Sequence, residues 1–177
     1  MTKSETIAAE TKDAGNTTCG LFNLSPVINV EVSEDWLDYN NHMTEHCYLY
    51  LFGLASDTFL LGVGIDKVYI ESGRSYFTVE THLRHLDEAS LGDSLSSVCR
   101  LMNYDAKRLH LFHELYRSGA GSPIATAEQV LIHVDRVLGR SIPAQEDVLE
   151  RLASIHTQHK NYPNPAGIGR SISLHKV

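Results

Sequence analysis

Cysteine, basic side chains and long apolar runs are all scarce in this sequence, and each shortage narrows what the protein can be. The three cysteines, Cys19, Cys47 and Cys99, have no paired spacing and follow no apolar leader, which predicts free thiols in a reducing, cytoplasmic compartment. Lysine and arginine number 15 against 22 acidic residues, which argues against a nucleic-acid surface. The longest apolar run contains Asp57 and is shorter than the ~20 residues that span a membrane.

The remaining composition is that of one globular domain. A length of 177 residues with 42% hydrophobic content is sufficient for a single core. We predict this domain at residues 23–158. It is preceded by an arm at 1–22, which has no periodicity, and followed by a tail at 159–177 that is rich in Gly, Ser and Pro. Both flanking segments are expected to be flexible.

Residues 36–64 are the centre of the sequence, because a polar turn leads there into an apolar helix. The turn contains a carboxylate, two amides and an imidazole: Asp38, Asn40, Asn41 and His42. From Tyr48 to Val63 the helix is apolar nearly all round, which predicts enclosure on most sides. Since a helix N-terminus offers unpaired N–H groups and a positive dipole end, polar groups packed against it indicate a site.

Alternating and β-branched segments predict five strands, at 27–32, 75–86, 94–102, 107–117 and 124–134. In the second of them, alternation places Phe77 and Leu83 on one face and Tyr76 and Arg84 on the other. A short helix or turn is expected at 65–73, and a final amphipathic helix starts near Pro143. This order predicts an α+β fold, in which an antiparallel sheet wraps around one long buried helix.

That order, with the motifs Asp38-Tyr-Asn-Asn-His-Met and Tyr48-Leu, resembles the hotdog-fold acyl-CoA thioesterases of the 4-hydroxybenzoyl-CoA type. Their signature is Asp-x-x-Gly-His, followed by a Tyr and a helix. Asn41 stands at the usual Gly, and Asn tolerates a positive φ better than most residues. Longer segments beginning at His42, Val79, Asp105 and Ala125 are similar to thioesterases found beside or fused to carnitine dehydrogenase. That group is associated with the hydrolysis of betainyl-CoA in carnitine breakdown.

The resemblance implies a thioesterase that uses no metal and no bound cofactor. Asp38 would act as the nucleophile or as general base on water, and the sequence does not separate these roles. The thioester oxygen would lie against backbone N–H groups near Glu45, at the start of the helix. His42 would shape the turn or orient the thioester. The structural alternative is that Asp38 only caps the turn.

A betainyl group carries a quaternary ammonium, which a carboxylate such as Glu45 and aromatic faces would attract. Packing in the core or at the surface is the alternative for each aromatic candidate. The phosphates of CoA require local positive charge in an otherwise acidic protein. The residues that we assign to substrate binding are Trp36, Tyr39, Asn41, Tyr48, Tyr76, Arg84, Lys107 and Arg108, the last three for the phosphates.

Other functions fit parts of the sequence. The string His42-Met-Thr-Glu-His46 matches the H-x-x-E-H motif of inverted zinc peptidases, although no third ligand is marked. A hotdog domain can also bind CoA esters without turnover, or hydrolyse a short-chain or aromatic acyl-CoA. We expect a homodimer or a dimer of dimers, because an open sheet edge invites pairing with a second copy. In the resembling family the active sites lie at that subunit interface.

Overall fold

The computed structural model describes residue 21 and residues 23–174, and it combines one antiparallel sheet with three helices. The strands are β1 (Ile28–Glu31), β2 (Arg74–His85), β3 (Ser94–Tyr104), β4 (Arg108–Arg117), β5 (Ala125–Asp135) and β6 (Arg140–Ser141). The helices are α1 (Glu45–Gly62), α2 (Lys67–Glu71) and α3 (Glu146–His159), and a 3-10 turn (Glu34–Trp36) follows β1. The predicted α+β layout is confirmed. No helix in these residues is long and apolar enough to cross a membrane.

The sheet has the strand order β1-β3-β4-β5-β2, with β6 pairing to β5 alone. All of these pairs are antiparallel. In the part of the chain that the structure describes, β2 pairs only with β5. The outer side of β2 is therefore a free sheet edge with unpaired backbone groups.

Helix α1 packs one of its faces against the sheet. The sheet face that α1 covers is called the inner face, and the opposite sheet face is the outer face. Its buried residues recur every three or four positions: Cys47, Tyr48, Leu51, Phe52, Ala55, Ser56, Phe59 and Leu60. They form one core cluster around Phe52 and a second around Phe59, and α3 contributes to the second. On the opposite side of α1, Leu49, Tyr50 and Leu61 are 40–46% exposed. The predicted enclosure of the helix therefore holds for one face only.

Strand β2 departs from the alternation that its sequence predicts. A register shift between Thr78 and Glu80 exchanges the faces of the strand. Tyr76, before the shift, is 5% exposed in the core, and Leu83, after it, also packs against the core. The prediction that put Tyr76 and Leu83 on opposite faces was wrong, because a bulge leaves no mark in a simple two-residue period.

The segments on either side of the predicted domain are partly included in the structure. The predicted arm at 1–22 lies outside the described residues apart from Leu21, which is fully buried. Helix α3 continues to His159, whose imidazole is buried and receives the backbone N–H of Leu101 at 2.9 Å. The described part of the predicted tail contacts the sheet, and residues 175–177 lie outside the described residues.

Candidate active site

The Asp38 turn is closed by its own backbone and then fixed to neighbouring segments. The Asp38 N–H donates to the His42 carbonyl at 2.9 Å, and the Asn41 N–H donates to the Asp38 carbonyl at 3.1 Å. Asn41 has a φ of 61°, which confirms the positive φ expected at this position. Backbone bridges join Leu37 to Met43 and His42 to Ser90. The turn is thus held in place at both of its ends.

The Asp38 carboxylate is ionised and has one free oxygen. Its Oδ1 accepts the N–H groups of Asn40 at 2.7 Å and His42 at 3.2 Å. Hydrogen bonding from the His42 backbone is the largest of the effects that hold the pKa of Asp38 below its usual value. Among the described residues, the only hydrogen bond to Oδ2 is a long one of 3.5 Å from the Asn40 amide. Oδ2 is therefore the oxygen available for attack or for proton abstraction.

Unpaired N–H groups lie at the start of α1, seven and eight residues after this carboxylate. Thr44 precedes the helix, and its side chain does not cap the first turn. The Cys47 N–H donates to the Thr44 carbonyl at 3.0 Å. In the described chain, the N–H groups of Glu45 and His46 have no acceptor. Two such donors at the positive end of a helix are suited to bind a developing oxyanion.

Two adjoining cavities meet at Glu45. The first, here called the Asp38 cavity, measures about 500 Å³ and is lined by Asp38, Thr44, Glu45, His46, Leu49 and Leu83. The second, the Tyr48 cavity, measures about 410 Å³ and is lined by Met43, Glu45, Tyr48, His85, Asp87 and Glu88. The structure thus brings together Asp38 and Glu45, and on the other side of Glu45 it adds Tyr48.

The Tyr48 cavity is acidic, with three carboxylates and no lysine or arginine among its described lining residues. Asp87 pairs with Arg117 at 2.8 Å, and Glu88 lies 3.3 Å from Nδ1 of His42. Glu45 is exposed and has no ion-pair partner among the described residues. The carboxylate between the two cavities is therefore free to meet a positively charged ligand.

Tyr48 forms the apolar wall of this second cavity. It is 3% exposed, and its ring packs edge-on against that of His85, with the centroids 4.8 Å apart. Burial raises the pKa of the Tyr48 hydroxyl, and a hydrogen bond with the Ala89 backbone partly opposes this rise. The phenol therefore stays neutral, and the ring presents an aromatic surface beside Glu45.

The other aromatic candidates lie in different surroundings. Trp36 packs edge-on against Tyr50 at 6.4 Å, and Tyr39 is 93% exposed on the turn. Tyr76 is buried in the core against His133, with ring centroids 5.0 Å apart. Burial raises the pKa of Tyr76, and the structure places this side chain in neither cavity.

The three basic candidates also differ in their surroundings. Arg108 is paired to Asp105 through Nη2 at 2.6 Å and Nε at 2.8 Å, so this guanidinium is already engaged. Lys107 has no ion pair among the described residues. Arg84 lies on the outer face of β2 and donates to the carbonyl of Ala166 at 3.4 Å.

The zinc alternative requires His42 and His46 to share one helix face. Helix α1 begins only at Glu45, and His42 lies in a backbone bridge with Ser90. The His46 ring contacts Thr44 at 3.1 Å and Cys47 at 3.6 Å. Within the described ranges, no group of three or more His, Cys, Asp or Glu side chains is arranged to hold a metal ion. The H-x-x-E-H spacing therefore does not form a helical metal pair.

Several cavity residues were not predicted as site residues: Met43, Thr44, Leu49, Leu83, His85, Asp87 and Glu88. The residues from 83 to 88 reach the site because the His42–Ser90 bridge holds the end of β2 and its following turn beside the Asp38 turn. This pairing joins segments more than 40 residues apart. Neither segment alone indicates it, so only the assembled sheet identifies these residues.

The family model for the thioesterase-like superfamily matches residues 32–152. A solved structure of the Staphylococcus aureus protein SAV2348 in complex with CoA has a TM-score of 0.78 and 26% identity, over 83% of this chain and 93% of that one. A crystal structure of a protein from Pseudomonas putida KT2440 has a TM-score of 0.75 and 32% identity, over 85% of this chain and 97% of that one.

Two relatives have names that state an activity. The betainyl-CoA thioesterase of Pseudomonas aeruginosa is 38% identical over 147 residues, which cover 82% of this chain and 92% of that protein. The L-carnitine dehydrogenase/betainyl-CoA thioesterase of Rhizobium meliloti is 45% identical over 146 residues. This chain spans 29% of the length of that second relative and is therefore similar to one part of it.

Proposed function

Because this chain belongs to the thioesterase-like superfamily, we propose that it hydrolyses acyl-CoA thioesters and that betainyl-CoA is its substrate. The observation that carries the proposal is one cavity lined by the ionised Asp38 and by residues 45 and 46, whose backbone N–H groups are unpaired. The hotdog fold is shared with the structural neighbours. The relatives named for betainyl-CoA support the choice of acyl group.

In the reaction, the thioester oxygen accepts hydrogen bonds from the N–H groups of Glu45 and His46, and these donors stabilise the oxyanion as it forms. Along one route, Oδ2 of Asp38 attacks the carbonyl carbon, the C–S bond breaks, and water then hydrolyses the resulting anhydride. Along the other route, Asp38 takes a proton from water as that water attacks, and the C–S bond then breaks to release CoA as its thiolate. A rapid-quench experiment that detects acylated enzyme by mass would select the first route.

The carboxylates that line the Tyr48 cavity favour a substrate with a cationic acyl group. Glu45 presents an unpaired carboxylate there, and the Tyr48 ring adds an aromatic wall. A trimethylammonium group close to both would gain Coulombic and cation–π attraction, about 0.5–2 kcal/mol for each ring. An anionic acyl group would be repelled by the same carboxylates. We therefore assign Glu45 and Tyr48 to recognition of the trimethylammonium.

The test compares betainyl-CoA with 3,3-dimethylbutyryl-CoA, in which a carbon atom replaces the charged nitrogen. Wild-type protein is expected to release thiol with at least about tenfold higher kcat/KM from betainyl-CoA, since one tenfold corresponds to about 1.4 kcal/mol. Glu45→Gln should remove most of this preference and retain hydrolysis of the neutral ester. Glu146→Gln, at the matching first position of α3, is the control and should keep the preference.

Other outcomes of this experiment have separate meanings. Equal rates with both esters would retain the thioesterase and contradict the cation site, and faster hydrolysis of acetyl-CoA or 4-hydroxybenzoyl-CoA would replace the substrate. Binding of CoA esters without thiol release would identify a binding module. Activity that appears only after zinc is added to metal-free protein would contradict catalysis by Asp38 and the helix start alone.

We also propose that the protein is a homodimer, formed by pairing of the free β2 edges, and that it works in the cytoplasm. Phe77 and Val79 on this edge strand are 51% and 60% exposed. A second copy would cover them and would pair the free backbone groups. The unpaired thiols of Cys47 and Cys99 are consistent with a reducing compartment.

Sedimentation of the wild-type protein is therefore expected to give the mass of a dimer or of a dimer of dimers. Phe77→Lys should shift the protein toward the monomer, because the charge would be buried at the pairing edge. Val137→Lys, at a valine that is 84% exposed in the turn after β5, is the control and should leave the mass unchanged. A wild-type enzyme that is active and monomeric would contradict the proposal.

A further inference from the structure

The chain that follows α3 lies on the outer face of the sheet, the face opposite α1. Residues 162–167 are called the C-terminal strap here. Arg100 of β3 is 7% exposed, and its Nη2 donates to the carbonyls of His159 at 2.8 Å and Tyr162 at 2.7 Å, while its Nη1 donates to that of Pro163. A buried guanidinium therefore fixes the first half of the strap.

The second half of the strap is held at the β2 edge of the same sheet face. Nη1 of Arg84, from β2, donates to the Ala166 carbonyl. Just beyond the strap, the Gly169 N–H donates to Oε2 of Glu128 at 2.8 Å, and Oε1 of Glu128 lies 2.7 Å from Nε2 of His110. The segment thus crosses the sheet from β3 to the edge strand.

Gly167 is the point of closest approach between the strap and Arg84. Its φ is +88°, and a Cβ atom placed there would collide with Nη1 of Arg84 and would lie 3.0 Å from its Cζ. Gly169 has a similar φ of +67°, but a Cβ atom there would meet nothing within 4 Å. A side chain at residue 167 would therefore have to displace the end of Arg84, and the positive φ itself favours glycine there.

This contact leaves the other side of the guanidinium available. Nη1 is occupied by the Ala166 carbonyl, and the described residues supply no partner for Nε or Nη2. The Nε–Nη2 edge is the pair of parallel donors that binds a phosphate bidentately. We propose that the C-terminal strap is a positioning element that holds Arg84 with this edge directed to a phosphate of the CoA ester.

The inference rests on the proposed function, because it takes an acyl-CoA as the ligand. An arginine that is held in place loses less side-chain entropy when its ligand binds than a free one does. The strap also lies outside residues 32–152, the part of the chain that the family model matches. The strap therefore adds a feature of this chain to the shared domain.

The test is Gly167→Ala with Gly169→Ala as the matched control, each assayed with an acyl-CoA and with the same acyl group on pantetheine, which carries no phosphate. Gly167→Ala should raise KM for the acyl-CoA by about threefold to tenfold, the effect of ordering one long side chain, and leave kcat close to the wild-type value. With the pantetheine ester the variant and the wild type should have the same KM. Gly169→Ala should match the wild type with both substrates.

Each other result has a defined meaning. If Gly167→Ala lowers KM for the acyl-CoA, the strap obstructs Arg84 and the positioning role is wrong. If KM rises equally for both esters, the substitution disturbs the domain as a whole and the proposal is contradicted. If the two glycine variants behave alike on an active enzyme, the strap has no role at Arg84. Absence of hydrolysis by the wild-type protein would instead contradict the proposed function itself.

Discussion

Asp38→Asn is expected to lower kcat by about 1000-fold and to leave KM within about twofold, in the range lost when a general base or nucleophile is removed. Asparagine retains a carbonyl oxygen that can accept the N–H groups of Asn40 and His42, so the turn is preserved. In asparagine, an NH2 group replaces one carboxylate oxygen, and the remaining oxygen carries no negative charge. The variant can therefore bind the ester and cannot attack it or activate water.

The control for this variant is Asp135→Asn. Oδ1 of Asp135 accepts the N–H groups of Val137 at 2.9 Å and Leu138 at 2.8 Å, so it stabilises a turn in the same manner as Asp38. Asp135 lines neither cavity. If Asp38→Asn lost activity because its turn unfolded, its melting temperature would also fall. Asp135→Asn, which affects a similar turn outside the site, would then show a similar fall in melting temperature.

We expect Asp135→Asn to keep kcat within about twofold, the range of an ordinary surface substitution. Asp38→Asn should melt within a few degrees of the wild type while losing activity. Near-normal kcat in a folded Asp38→Asn variant would show that Asp38 only caps the turn. Another residue that lines the Asp38 cavity would then have to act as the nucleophile or general base.

Much of the fold could be predicted because its signals are local. The two-residue period of β3, β4 and β5 and the apolar run of α1 each appear within one segment, and they predicted the order of elements. Asn41 was predicted to tolerate a positive φ and has one. The polar turn before α1 was also predicted, since a carboxylate, two amides and an imidazole stand together directly before the apolar run.

The features that were missed depend on contacts between distant segments. The bulge in β2 moved Tyr76 into the core, and nothing in the sequence of β2 marks it. Asp87 and Glu88 join the site only through the pairing of residues 42 and 90. The strap needed Gly167 to lie against Arg84, a pair separated by more than 80 residues. Such contacts are set by three-dimensional assembly rather than by periodicity.

A buried histidine gives the second large expected effect, on stability rather than on catalysis. His113 is fully buried on β4, and its Nε2 lies 3.1 Å from both Ser56 Oγ and Gln129 Oε1. The Ser56 hydroxyl itself donates to Gln129 Oε1 at 2.8 Å. His113 Nδ1 has no partner in the described structure. A proton added at Nδ1 would therefore be buried without an acceptor.

Burial lowers the pKa of His113 to about 4 from an ordinary value of 6.5, and the Gln129 hydrogen bond only partly opposes this. Above pH 6.5 the imidazole is neutral in both the folded and the unfolded chain. Between pH 6.5 and 4 the unfolded chain binds a proton that the folded protein does not, so the free energy of unfolding decreases as the pH falls. The expected loss from His113 is about 2 kcal/mol at pH 5 and about 3 kcal/mol at pH 4.

His133 and His159 act in the same direction, because burial lowers the pKa of each. The wild-type protein should therefore lose stability on acidification by more than His113 alone predicts. The contribution of His113 to this loss of stability can be isolated with His113→Gln. This substitution keeps a side chain that can donate to Gln129 and removes the titrating group. Urea unfolding at pH 7 and pH 5 measures the change for each protein.

His113→Gln is expected to be less stable than the wild type at pH 7 and to lose about 2 kcal/mol less between pH 7 and pH 5. Leu111→Ala, a substitution at another fully buried position on β4, is the control for destabilisation alone. It should lower the free energy of unfolding at both pH values and keep the wild-type difference between them. If His113→Gln also keeps that difference, the pKa of His113 is the same in the folded and the unfolded protein, and burial does not lower it.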